Sequence, residues 1–229
     1  MLLEICANSY QSAINAQDAG AHRIELCQEL SVGGITPSCG LLKQVINNLN
    51  IPVFVLIRPR GGNFVYSGDE FEIMKHDIQL CKNLGCQGIV SGVLNADNTI
   101  DINRTRELVE LSKPLPFTFH RAFDKVVSSK QALEYLIDLG VDRILTSGQE
   151  TLAELGLELL EEFNTISKGR ITILAASGIN SDNASKFKEI GLKEIHASAS
   201  SPLEENNSLF SMPRTYSDPK KIKAILNAI

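Results

Sequence analysis

The chain has 229 residues, of which 43% are hydrophobic and 21% are charged, and its formal net charge is −5. These proportions are typical of a soluble globular protein and argue against a disordered or membrane-spanning chain. The negative charge argues against a nucleic-acid-binding surface, which needs a clustered excess of basic residues. Because α/β barrels commonly take about 200–250 residues in one unit, we expect a single domain over residues 1–229.

Short β-branched segments alternate along the chain with helical stretches of about three turns, which is the pattern of βαβ units and a parallel sheet. Eight strands are predicted, at Leu2–Cys6, Arg23–Cys27, Val53–Arg58, Gly88–Ser91, Phe117–Arg121, Arg143–Thr146, Thr172–Ala176 and Glu194–Ala197. Eight strands, with no Gly-x-Gly-x-x-Gly turn after the first, favour a closed (β/α)8 barrel over an open doubly wound sheet.

Capping residues mark the predicted helices. Ser9 can cap the first helix, Thr36-Pro37 opens the second, Ser67 precedes the third, Ser181-Asp182 opens the one after strand seven, and Asp218–Ala228 forms the last. Four helices should end at a glycine that precedes a new strand: Gly20, Gly85, Gly140 and Gly191. Two longer segments, 58–68 and 198–217, interrupt this alternation.

The N-terminal residues carry no export signal, because Glu4 follows Met1, Leu2 and Leu3 without a basic segment or a long apolar run. We therefore expect a cytoplasmic protein that does not bind a membrane. An odd number of cysteines in such a chain argues for reduced thiols rather than a disulfide framework. They are Cys6, Cys27, Cys39, Cys81 and Cys86.

Ionisable residues occur at the ends of several strands. Alternation places Glu4 and Cys6 on one face of strand one, and Arg23, Glu25 and Cys27 on one face of strand two. Catalytic groups of barrels come from the C-terminal ends of several strands, so these faces predict a site at that mouth. Its candidate catalytic residues are Glu4, Glu25, His120, Asp124 and His196. The structural alternative is a set of buried ion pairs, although such pairs barely recover their desolvation energy.

Three loops are candidate anion sites. Arg58 and Arg60 precede Gly61-Gly62, so guanidinium groups and bare backbone N–H groups can approach an anion. Loops after the late strands of a barrel often bind phosphate. The candidates there are Ser147, Gly148, Ser177 and Gly178. The alternative is that these glycines serve turns with positive φ.

Cys6 and Cys27 end adjacent strands on the same inward face. Neighbouring strands lie roughly 5 Å apart, so two thiolates can share a soft ion such as Cu(I). The alternative is two buried thiols, and we expect a core role for Cys39, Cys81 and Cys86.

Six segments, in order along the chain, resemble the CutC copper-homeostasis family: LLEICANS, HRIELC with VGGITPSCG, IRPRGGNFVYS, FTFHRAFD, RILTSGQ and EIHASA. The resemblance implies a cytoplasmic (β/α)8 barrel that forms a homodimer or a larger homo-oligomer. It also implies a role in copper handling, with Cu(I) bound by the cysteines that match Cys6 and Cys27.

Two functional hypotheses follow. The first is a copper-homeostasis protein that binds Cu(I). The second is an enzyme acting on a small polar, anionic or phosphorylated molecule, with Glu4 or Glu25 as base, His120 oriented by Asp124, and Arg58 and Arg60 as an anion clamp. In a variant of the second hypothesis, a divalent metal ion is bound by Glu4, Glu25, His120 and His196. A binding module is a third, simpler interpretation.

Overall fold

The computed structural model describes residues 1–203 and 214–229. Eight parallel strands form a closed barrel in sequence order, with β8 paired to β1. They are β1 Leu2–Ala7, β2 Arg23–Leu26, β3 Val53–Leu56, β4 Gly88–Ser91, β5 Phe117–Phe119, β6 Arg143–Thr146, β7 Thr172–Ala176 and β8 Glu194–Ala197. The predicted (β/α)8 barrel is therefore confirmed.

Helices surround the barrel: α1 Tyr10–Ala19, α2 Cys39–Asn48, α3 Gly68–Leu84, α4 Ile102–Ser112, α5 Ser129–Asp138, α6 Leu157–Ser167, α7 Ala184–Glu189 and α8 Pro219–Asn227. Within the described ranges, none of them is long and apolar enough to cross a membrane. The four predicted terminal glycines all adopt positive φ at or next to a helix end. Ser9 and Ser67 cap α1 and α3 as predicted, and Glu70 completes a capping box at Ser67.

Several predicted boundaries are wrong by one to three residues. α2 begins at Cys39 with Ser38 as its cap, because Thr36 instead exchanges hydrogen bonds with Arg58. α7 begins at Ala184, because Asn180 and Asp182 form a tight turn before it. β5 stops at Phe119, because a 3₁₀ helix over Arg121–Lys125 follows. β2 and β3 likewise end before Cys27 and Arg58, where the chain enters loops.

The segment 198–217 is only partly described. Ser200–Pro202 (β9) and Thr215–Ser217 (β10) form a short antiparallel pair, and residues 204–213 lie outside the described ranges. Ser217 joins this pair to α1, since its N–H donates to Ser12 Oγ at 3.0 Å.

The predicted facing of strand residues is confirmed. Leu3 and Ile5 of β1 and Ile24 and Leu26 of β2 belong to the large core between barrel and helices. Inside the barrel, a separate small apolar cluster contains Cys6, Cys27, Phe54, Leu56 and Val90. The barrel interior therefore contains an apolar layer and a charged layer. The charged layer contributes residues of the candidate site.

Candidate functional site

A buried ion network crosses the barrel interior. Arg23 of β2 donates through Nε to Glu4 Oε2 and through Nη2 to Glu194 Oε2, the latter at 2.6 Å. Arg143 of β6 donates to the same Glu194 oxygen at 3.0 Å. Both arginines also lie over the Phe54 ring, with guanidinium carbons 4.6 and 5.3 Å from its centroid. The network ties β1, β2, β6 and β8 together.

Glu4 is held ionised within this network. Burial alone would raise the pKa of Glu4, but a hydrogen bond from His196 and the charge of Arg23 lower it to about 2. His196 Nδ1 donates to Glu4 Oε1 at 2.7 Å. Burial opposes protonation of His196, but hydrogen bonds to Cys6 and Glu4 and the charge of Glu25 raise its pKa well above the ordinary value.

Glu25 has a different environment from Glu4, although it lies on the neighbouring strand β2. Burial raises the pKa of Glu25 to about 7, and repulsion from Glu4 adds to this effect, while the charges of His196 and Arg23 oppose it. Its Oε2 lies 3.9 Å from His196 Nδ1 and has no hydrogen-bond partner in the described parts of the chain. Of the two carboxyl groups, only Glu25 retains an oxygen free for a ligand.

Glu4, Glu25 and His196 also form the one group with metal-ligand geometry in residues 1–203 and 214–229, with ligand atoms within 4.8 Å of one another. Both oxygens of Glu4 are already engaged, one by Arg23 and one by His196. His120, the fourth residue of the predicted divalent set, is not part of this group. The donors therefore fit an internal ion network better than a divalent ion.

The two predicted thiol ligands meet above this network. Cys6 Sγ lies 3.5 Å from Cys27 Sγ, and both side chains are buried. Their mutual hydrogen bond and their burial raise the pKa of Cys6 well above its ordinary value. Cys81 and Cys86 lie in the outer core as expected, but Cys39 is exposed at the start of α2, so its predicted core role is wrong.

A cavity of about 480 Å³ opens at the C-terminal ends of the strands. The predicted site residues that line it are Cys6, Glu25, Arg58, His120, Asp124, Ser177, Gly178 and His196. Glu4, Cys27, Arg60, Ser147 and Gly148 do not. Its lining also includes Arg121 and Lys125, which sequence reasoning missed although they flank Asp124.

Arg58 is engaged by loop backbone rather than presented as an open clamp. Its Nη1 donates to Val32 O and Gly34 O at 2.8 and 2.7 Å, and its Nη2 donates to Gly62 O at 2.9 Å. Its guanidinium carbon lies 5.0 Å from the Phe64 centroid. Arg58 thus fastens two loops beside the cavity, and only Nε has no partner in the described chain.

Arg60 lies outside the cavity. It pairs with Glu70 at 2.5 Å, donates to backbone oxygens of its own loop, and stacks on Tyr66. The structure therefore separates the two arginines that the sequence places together: Arg58 lines the cavity, whereas Arg60 pairs with Glu70 outside it.

The sequence predicts that Asp124 orients His120, but in the structure the two side chains bond to other partners. Asp124 accepts from Arg121 Nε at 2.8 Å, Thr146 Oγ1 at 2.5 Å and Ser147 N at 3.0 Å. His120 is oriented instead by its own turn, where Nδ1 accepts from Ala122 N at 3.3 Å. Burial and the charge of Arg58 lower the pKa of His120 to about 3, so the ring is neutral at physiological pH.

The two Ser-Gly turns also differ. Ser147 donates to Glu150 O at 2.5 Å, and a Cβ at Gly148 would meet Gly156 O, so the turn after β6 is closed by packing. Ser177 and Gly178 line the cavity, with Ser177 Oγ donating to Thr151 O at 2.7 Å.

Residues 1–201 match the model of the CutC family. The chain belongs to the CutC family. It is 50% identical over 198 residues to a CutC family protein of Photorhabdus laumondii, covering 86% of this chain and 79% of that protein. It is 48% identical over 201 residues to a human protein named copper homeostasis protein cutC homolog, covering 87% and 74%.

One solved structure agrees with the CutC assignment, and a second is similar in fold alone. CutC from Streptococcus agalactiae superposes with a TM-score of 0.82 at 33% identity, covering 86% of this chain and 98% of that one. An aldolase superposes with a TM-score of 0.66 at 16% identity, covering 83% of each chain, and this likeness shows the barrel fold alone.

Proposed function

We propose that this CutC chain acts in copper homeostasis by binding Cu(I) through Cys6 and Cys27. The observation that carries the proposal is the 3.5 Å separation of the two sulfur atoms inside the barrel. Soft thiolates favour Cu(I), whereas the carboxylates nearby favour hard ions. Related proteins are named for copper homeostasis, which supports the same role.

The surroundings suit a soft ion that enters from the cavity. Cys6 lines the cavity, whereas Cys27 is fully buried behind it against the apolar side chains of Phe54, Leu56 and Val90. This apolar wall restricts the access of water to the Cys27 sulfur. A copper ion between the thiolates would sit at the cavity floor, beside His196.

Competitive titration with a chromogenic Cu(I) chelator tests the proposal. We expect the Cys6→Ser/Cys27→Ser variant to lose the tight site and the Cys39→Ser variant to keep it, because Cys39 is exposed on α2. Unchanged Cu(I) affinity in a folded double variant would contradict the ligand assignment.

A second candidate is an enzyme that acts on a small polar or anionic molecule. It is favoured by Glu25, a residue of the cavity lining whose buried Oε2 has no partner in the described chain and lies 3.9 Å from His196 Nδ1, a geometry that suits general acid–base chemistry. Incubation with a panel of carboxylic and phosphorylated acids, followed by mass spectrometry, tests this candidate. Conversion by the parent chain but not by Glu25→Gln supports it, and no conversion across the panel counts against it.

The proposal also includes a cytoplasmic location, a single domain over residues 1–229, and assembly into a homodimer or a larger homo-oligomer. Neither nucleic acid nor a membrane surface is a proposed partner. Size-exclusion chromatography with light scattering tests the assembly.

A further inference from the structure

The outer part of the cavity has a positive character. Arg58, Arg121 and Lys125 line it, and Asp124 is the acidic residue among them. Asp124 is neutralised by Arg121 at 2.8 Å, while Lys125 is exposed and has no acidic partner in the part of the chain that the structure describes. Glu25 lies deeper, next to His196. The exposed charge of Lys125 is therefore available to an anion in this cavity.

His120 supplies a directional donor in the same cavity. Because Nδ1 accepts a backbone hydrogen bond, the proton of the neutral ring is on Nε2. That Nε2 is buried and has no acceptor in residues 1–203 or 214–229. A buried donor without a partner is unfavourable, and a ligand oxygen would satisfy it. His120 is 3% exposed, so its orientation is fixed before any ligand arrives.

We propose that this cavity binds a small organic oxyanion, with His120 Nε2–H donating to one oxygen and Lys125 facing the charge. The volume of about 480 Å³ fits a metabolite-sized molecule. Carboxylates and phosphates share the required chemistry. The inference deepens the enzyme candidate, but it concerns binding alone and does not use the thiols of the copper proposal.

Isothermal titration with malonate, inorganic phosphate and neutral malonamide tests this site. We expect binding of malonate or phosphate and weaker or no binding of malonamide. Binding of malonate alone identifies a carboxylate site, binding of phosphate alone a phosphate site, and both results support the proposal. Failure of both anions to bind at tens of millimolar, or equal binding of malonamide, overturns it.

Variants separate the site from general charge effects. Lys125→Gln should weaken anion binding roughly fivefold, as expected for one partly screened charge, while Lys43→Gln on the outer helix α2 should leave it unchanged. His120→Phe should weaken it by a similar factor, and Lys125→Gln keeps the test valid if that buried variant does not fold. Equal affinity in Lys125→Gln and the parent chain contradicts the proposal.

The Cys6→Ser/Cys27→Ser variant distinguishes this inference from copper binding. It should keep the oxyanion affinity while it loses Cu(I). Loss of oxyanion binding in the folded double variant would contradict a site built on His120 and Lys125.

Discussion

Cys6 and Cys27 are 21 residues apart in sequence, yet their sulfur atoms lie 3.5 Å apart. The register of β1 and β2 explains this proximity, since Cys6 pairs with Glu25 and Ala7 pairs with Leu26, the residue before Cys27. Cys27 therefore lies two residues past the partner of Cys6 on the same inner face, and the two sulfur atoms approach each other diagonally.

Copper binding at this pair should depend on pH. Because the pKa of Cys6 is raised well above its ordinary value, the thiol is protonated at neutral pH and Cu(I) must displace its proton. We expect the affinity to rise roughly tenfold per pH unit for each proton released. Calorimetric Cu(I) titrations between pH 6 and 8, in two buffers of different ionisation enthalpy, measure the number of protons released. A pH-independent affinity would argue against thiolate ligation.

Removing one member of the buried ion network should destabilise the fold. Glu4→Gln removes one of the two carboxylates that pair with Arg23 inside the barrel, and breaking a buried pair costs up to about 3–5 kcal/mol. Lys113→Gln breaks an exposed pair with Glu110 and should change the free energy of unfolding by less than about 1 kcal/mol. Urea unfolding compares the two. Similar small losses would mean that the buried pair contributes little.

The same carboxylate predicts loss of stability in acid. The pKa of Glu4 is lowered from 4.5 to about 2 in the folded chain. Its contribution is therefore full above pH 4.5 and is lost as the pH falls from 4.5 towards 2. Glu4→Gln should flatten the stability profile in this window, measured by thermal unfolding. An unchanged acid slope in that variant would contradict this assignment.

His120 should also make the stability of the fold depend on pH, in a range above that of Glu4. Its pKa is lowered from 6.5 to about 3, so burial favours the neutral ring. Stability from this residue is full above pH 6.5 and is lost as the pH falls towards 3. Between pH 6.5 and 4.5, His120→Phe should show a flatter profile than the parent chain, whereas His76→Gln, at an exposed site on α3, should not.

Arg58 should be a structural residue whose geometry lysine cannot reproduce. Its guanidinium group reaches the carbonyl oxygens of Val32, Gly34 and Gly62 at once, which a single ammonium group cannot do. Arg58→Lys should lower the free energy of unfolding by about 1–3 kcal/mol, because buried carbonyls lose their donors. Arg60→Lys, at a half-exposed site, should cost less than about 1 kcal/mol. Chemical denaturation of both variants measures the difference.

The sequence by itself determined the barrel, its strand order and the residues that face its axis. Alternation along β1 and β2 separates Leu3 and Ile5 from Glu4 and Cys6, because the side-chain period of a strand is two residues. The same period brings Cys6 and Cys27 to one face, so the thiol pair was predictable from residues alone. Short local signals, such as Ser67 and Gly85, also located the ends of α3.

Only the tertiary structure decided which inward residues are available for a ligand. Glu4 and Glu25 both face the barrel interior from neighbouring strands, but Arg23 and His196 occupy both oxygens of Glu4, whereas one oxygen of Glu25 has no partner in the described chain. Asp124 follows His120 closely in sequence, yet it bonds to Thr146 and Ser147 because the 3₁₀ turn carries it towards β6. These hydrogen-bond partners come from strands that are distant in sequence. Which of them a side chain reaches depends on distances in the folded chain, and strand periodicity does not predict those distances.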